Sequence, residues 1–121
     1  MLKQFVEIKT DFEATHNWPE CNIEEVEFLK NEHRHKIYID VAVMTSSDRQ
    51  VEFFMLKMMV DDLIEKLYGT ERIKSLGRKS MEEICSNIIE GIEKPLGYPV
   101  AMRVRASEDG QVSSLIEYER D

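Results

Sequence analysis

Two stretches of the chain alternate apolar and polar residues with period two. In Leu2 to His16, the residues Val6, Ile8, Thr10, Phe12, Ala14 and His16 fall on one face, and Lys9, Asp11 and Glu13 on the other. In His33 to Thr45, the face that carries Ile37, Ile39, Val41 and Val43 also carries His33 and His35, while Arg34, Lys36, Tyr38 and Asp40 lie opposite. Both stretches read as strands, because residues i and i+2 of a strand point the same way and the apolar face is the buried one. Val51 to Tyr68 changes period. Leu56, Met59, Val60, Leu63 and Leu67 recur at helical spacing, and Gly69 is placed to end the helix. Ser80-Met81-Glu82-Glu83 has the form of a capping box, opening a second helix striped by Ile84, Ile88, Ile89 and Ile92 and stopped before Pro95. Val100 to Ser107 and Gln111 to Glu119 are two more strands, joined by the hairpin signal Glu108-Asp109-Gly110.

Three stretches carry no period. Asn17 to Glu32 is a long connection with an exposed acidic middle (Glu20, Glu24, Glu25, Glu27), and a loop of that length in a small domain is often functional. Ser46 to Arg49 has turn chemistry. Thr70 to Lys79 reads as a basic, polar connection. The predicted order is ββααββ, an α+β architecture in which a four-stranded antiparallel sheet carries two helices on one face. A chain of 121 residues is expected to form one domain, 1–121.

Composition narrows the partners. The formal charge of −8 argues against nucleic acid and against an anionic membrane surface, both of which need basic protein. No apolar run reaches membrane-spanning length, and Met1-Leu2-Lys3-Gln4 lacks the apolar region of a secretory leader. Two cysteines without framework spacing fit a reducing cytoplasm.

The histidines change the picture. The chain has three, and each lies on the apolar face of its strand: His16 at the end of the first, His33 and His35 at the start of the second. If those strands pair antiparallel, all three converge. A three-histidine set is one known way to hold catalytic zinc with a fourth position open, and imidazole suits Zn²⁺ better than Mg²⁺ or Ca²⁺. Three unrelated histidines at a core edge are the plainer alternative, which the shared faces disfavour. Cys85 reads as a core residue, Cys21 as a loop thiol, and Met55, Met58 and Met59 as helix packing, partly at a subunit interface.

Phe12-Glu13-Ala14-Thr15-His16, a long loop, and His33-Arg34-His35-Lys36-Ile37-Tyr38 resemble the Phe-x-Ala-x-His and His-Gly-His-x-Tyr pattern of the 6-pyruvoyl-tetrahydropterin synthase / 6-carboxy-tetrahydropterin synthase family. Val51-Glu52-Phe53-Phe54-Met55-Leu56-Lys57 is similar to that family's entry to its first helix, and Ser80 to Ile88 to the start of its second. The resemblance covers nearly the whole chain. It implies the tunnelling fold, a zinc ion held by His16, His33 and His35, and a pterin-like or purine-like ligand bound between subunits of a trimer or hexamer.

Three parts of the family pattern are replaced. Where the family has a proton-transferring cysteine, this chain has Phe28-Leu29-Lys30-Asn31, which leaves Cys21, further back in the loop, as the candidate catalytic residue. The family's Asp-His pair after the first helix is replaced by Leu67-Tyr68-Gly69-Thr70-Glu71. The glutamate that anchors the pterin falls on Ala106, which leaves Glu108, two residues on, as the candidate ligand-binding residue. The resemblance therefore implies a zinc-dependent lyase on a pterin or purine-derived bicycle. The alternatives are a zinc-bearing binding or regulatory protein without turnover, and an interaction module with structural zinc.

Overall fold

The computed structural model describes all 121 residues. The elements in chain order are β1 (Gln4–His16), a 3-10 segment (Glu24–Lys30), β2 (His33–Thr45), α1 (Phe53–Tyr68), β3 (Ile73–Gly77), α2 (Met81–Glu93), β4 (Ala101–Glu108) and β5 (Val112–Glu119). The architecture is α+β, as the periodicity predicts. The sheet corrects the expectation in two respects: it has five strands, ordered β3-β1-β2-β4-β5, and β3 runs parallel to β1. The element order is therefore ββαβαββ, where ββααββ was expected.

The added strand lies in the stretch that reads as a polar connection. Lys74 and Leu76 share the inward face of β3, and both are buried. Lys74 hides its role in the sequence because a buried lysine looks like a solvent position. Its aliphatic stem is covered, and its ammonium donates to the carbonyl oxygens of Gly69 (2.6 Å) and Glu71 (3.4 Å) just past the end of α1, where the helix dipole is negative.

The helices lie on one sheet face, α1 against β1 and β3, α2 against β4 and β5, with each packed on the other. The core between the layers gathers Phe12, Ile37, Ile39, Val41 and Val43 from β1 and β2 with Met102, Val104 and Ala106 from β4. The α2 stripe is the expected one. In α1 the buried row is Leu56, Val60, Ile64 and Tyr68, while Met59 and Leu63 flank it and Leu67 is exposed. Periodicity located the helix but placed its buried face off by part of a turn. Ser80 caps α2 by accepting from the Glu83 backbone N–H at 3.0 Å, and Gly69 ends α1 with φ 98°.

The pairing of β1 with β2 is what positions the site. They form a continuous antiparallel ladder from Gln4↔Thr45 to His16↔His33. The connection between them is stapled at its base: Asn17 N–H donates to the Gly77 carbonyl (2.9 Å) and Trp18 N–H to the Leu29 carbonyl (2.6 Å). No helix is long and apolar enough to cross a membrane.

Candidate metal centre

The end of β1 and the start of β2 bring the three histidines together. His16 is the direct cross-strand partner of His33, and His35 is the next residue of β2 on the same face. Ring centroids are 4.5 Å apart for His16 and His33, 4.9 Å for His33 and His35, and 5.6 Å for His16 and His35, each pair edge-on. One nitrogen from each ring lies within 4.8 Å of the others.

Hydrogen bonds identify which nitrogens face inward. His33 Nδ1 is 2.8 Å from the Asn31 carbonyl oxygen, and His35 Nδ1 is 2.6 Å from Asp109 Oδ2. Both partners are acceptors only, so each Nδ1 carries the hydrogen and each Nε2 keeps a lone pair. The Nε2 atoms of His16 and His33 are buried without a hydrogen-bond partner. Orphaned imidazole nitrogens pointing into one space fit a divalent metal that takes nitrogen donors. Nitrogens bound to one zinc at about 2.0–2.1 Å sit roughly 3.4 Å apart, a spacing that modest ring rotations reach from here.

The fourth side of this space is acidic. Glu108, the last residue of β4, is paired with Ile37 of β2, so its side chain follows the face that bears His35. Its Oε1 is 3.1 Å from His16 Nε2 and its Oε2 is 3.3 Å from His35 Nε2. The first contact is an ion-pair distance without the alignment of a hydrogen bond to the ring N–H. The His16 contact, reinforced by the charge of the three rings, holds the Glu108 carboxyl below the ordinary carboxylate range against the opposing effect of burial. Ala106, where the resemblance placed the ligand anchor, is instead a core residue opposite Ile39.

Cys21 is not among the side chains that converge. It is buried in the connection, with its thiol directed to the carbonyl oxygens of Val26 (3.7 Å) and Ile23 (3.9 Å). Cys85 lies in the core of α2, and burial pushes its thiol up to about 11, so it stays protonated and unreactive. Arg34 points away from the rings and pairs with Glu13 at 2.8 Å. The residue that periodicity overlooked is Asp109. As part of a hairpin signal it reads as a turn former, and nothing in the spacing ties it to His35.

No family model matches the chain, and none of the curated proteins does. Solved structures do. The 6-pyruvoyl tetrahydropterin synthase of Plasmodium falciparum superposes with a TM-score of 0.73 at 13% identity, over 98% of this chain and 99% of that one. The Plasmodium vivax enzyme gives 0.65 at 16%, over 97% and 99%, and the Caenorhabditis elegans enzyme 0.64 at 11%, over 100% and 98%. Two further Plasmodium vivax structures, with TM-scores of 0.67 and 0.66, are variants of a catalytic residue in which a glutamate is replaced. The resemblance in the sequence thus extends through the backbone from end to end, and the chain has the fold of the 6-pyruvoyl tetrahydropterin synthases in a strongly diverged sequence.

Proposed function

We propose that the chain is a zinc-dependent, tetrahydropterin-synthase-like protein acting on a pterin or purine-derived bicyclic substrate in a lyase-type reaction. The observation that carries this reading is the convergence of three imidazoles, two with Nδ1 already committed, at the β1–β2 junction of that fold. His16, His33 and His35 would hold the ion through Nε2. Bound there, zinc supplies a Lewis acid for a substrate hydroxyl or carbonyl oxygen.

The roles of the remaining groups follow from their surroundings. An ionised carboxylate accepts charge-assisted hydrogen bonds, and Glu108 lines the fourth side of the histidine cluster. Glu108 is therefore assigned to anchoring N–H or O–H groups of the bound molecule, and proton transfer falls to another group. Cys21 takes that part only if the 3-10 segment unpacks and releases its thiol from the carbonyls of Ile23 and Val26. The same packing favours the second reading, a zinc-bearing protein that binds such a ligand without turnover. The stretch after α1 adds to it, because the residues that replace the family's Asp-His pair include no histidine, and their Gly69 and Glu71 carbonyl oxygens accept from the Lys74 ammonium.

Assembly into a trimer or hexamer with a shared pocket belongs to this proposal. It is supported by the open edges of β3 and β5 and by the exposed side chains of Phe53, Phe54, Met55 and Met58 on α1. A cytoplasmic setting is supported by the two free cysteines.

The test is turnover of dihydroneopterin triphosphate by zinc-loaded protein, followed by chromatography. Product is expected from the wild type, and its loss in Cys21→Ala would identify that thiol, released by unpacking of the 3-10 segment, as the proton carrier. Product that persists in Cys21→Ala excludes that thiol as the proton carrier. No product from protein holding one zinc per chain moves the assignment to the binding reading.

A further inference from the structure

We propose that Asp109 is a positioning residue of the metal centre, fixing the ring of His35 so that its Nε2 faces His16 and His33. The inference rests on the metal reading above and goes beyond it, since it assigns control of the site to the β4–β5 turn.

Asp109 makes three contacts with two consecutive residues of β2. Its Oδ2 accepts from His35 Nδ1 at 2.6 Å, its Oδ1 accepts from the Lys36 backbone N–H at 3.0 Å, and its own N–H donates to the Lys36 carbonyl oxygen at 2.7 Å. The last bond prolongs the β2–β4 backbone ladder past its final residue pair, Ile37↔Glu108, and the Oδ1 bond adds a side-chain rung beside it. They hold the carboxylate in register with His35, which a free surface ion pair does not do.

In the three-residue connection Asp109-Gly110-Gln111, Asp109 has φ 55° and Gly110 φ 73°, a mirror-image turn closed by Gln111 N–H to the Glu108 carbonyl at 3.1 Å. The backbone cost of positive φ is accepted at a non-glycine residue whose side chain reaches the site. A carboxylate on Nδ1–H fixes the tautomer of a metal-ligating histidine and raises the donor strength of Nε2.

Two variants separate positioning from turn formation. Asp109→Gly removes the carboxylate while relieving the positive φ, so the turn is kept. Asp109→Asn keeps the shape, but its amide cannot accept from both His35 and Lys36. Zinc affinity, measured by competition with a chromogenic chelator, is expected to fall about 10- to 100-fold in each, the usual loss for an outer-shell partner. The thermal transition of metal-free Asp109→Gly should match the wild type. Independently of any variant, histidine ¹⁵N chemical shifts of the metal-free wild type should show His35 as the Nδ1–H tautomer.

Zinc binding by Asp109→Gly at wild-type strength, or an Nε2–H tautomer at His35 in the wild type, would overturn the assignment. A wild-type chain that holds no zinc would instead overturn the metal reading on which it rests.

Discussion

Replacing either His33 or His35 by alanine is expected to abolish stoichiometric zinc binding. These two rings supply adjacent same-face donors on β2, and the two imidazoles left after either replacement fall short of the three protein ligands that an open zinc site needs. The loss should exceed about 100-fold, more than an outer-shell change produces. Folding should survive, because the three rings lie at the edge of the core and are only partly buried. Acid should mimic the substitution in the wild type, since protons compete for the imidazole lone pairs and affinity falls as pH is lowered. Metal content after dialysis, measured alongside circular dichroism, checks both points. Zinc retained at one per chain in both variants would mean that the ion sits elsewhere.

The second large effect concerns the strand hidden from periodicity. Leu76→Ala should destabilise the protein by about 2–5 kcal/mol, the cost of truncating a fully buried leucine. The readout is the midpoint of chemical denaturation at unchanged slope. Arg72→Ala, an exposed position just before β3, should stay within about 0.5 kcal/mol. If Thr70 to Lys79 were a surface connection, the two variants would behave alike. Because β3 also anchors the loop through the Gly77 carbonyl to Asn17 N–H, Leu76→Ala is expected to weaken zinc binding through the backbone next to His16.

These two cases mark what a reading of the chain can and cannot reach. The β1 and β2 runs were legible because one face of each is buried, which enforces period two and makes register visible. The convergence of His16, His33 and His35 follows from that register alone. β3 was not legible, because Lys74 places a charged residue on the inward face and satisfies it with the carbonyl oxygens of Gly69 and Glu71, partners that only the folded chain brings within reach. The buried row of α1 shifted to Ile64 and Tyr68 because α1 meets both the sheet and α2, so two surfaces compete for its apolar side.

At the site, Glu108 could be named as a candidate but not placed. Its closeness to His16 and His35 depends on a β2–β4 register that no local pattern encodes. Asp109 was further from view, since its turn chemistry is a complete explanation until the Oδ2 contact with His35 is seen. Cys21 shows the opposite case. Chemistry suggested a role for the thiol, and the packing of the 3-10 segment turns it toward the carbonyl oxygens of Ile23 and Val26.

An open centre of three imidazoles is tested most directly by cobalt substitution of the wild-type chain. The expected result is one cobalt per chain, with visible absorption bands that shift when azide is added, because a fourth position remains for an outside ligand. A chain that takes up no cobalt, or a tetrahedral spectrum that azide leaves unchanged, would contradict it.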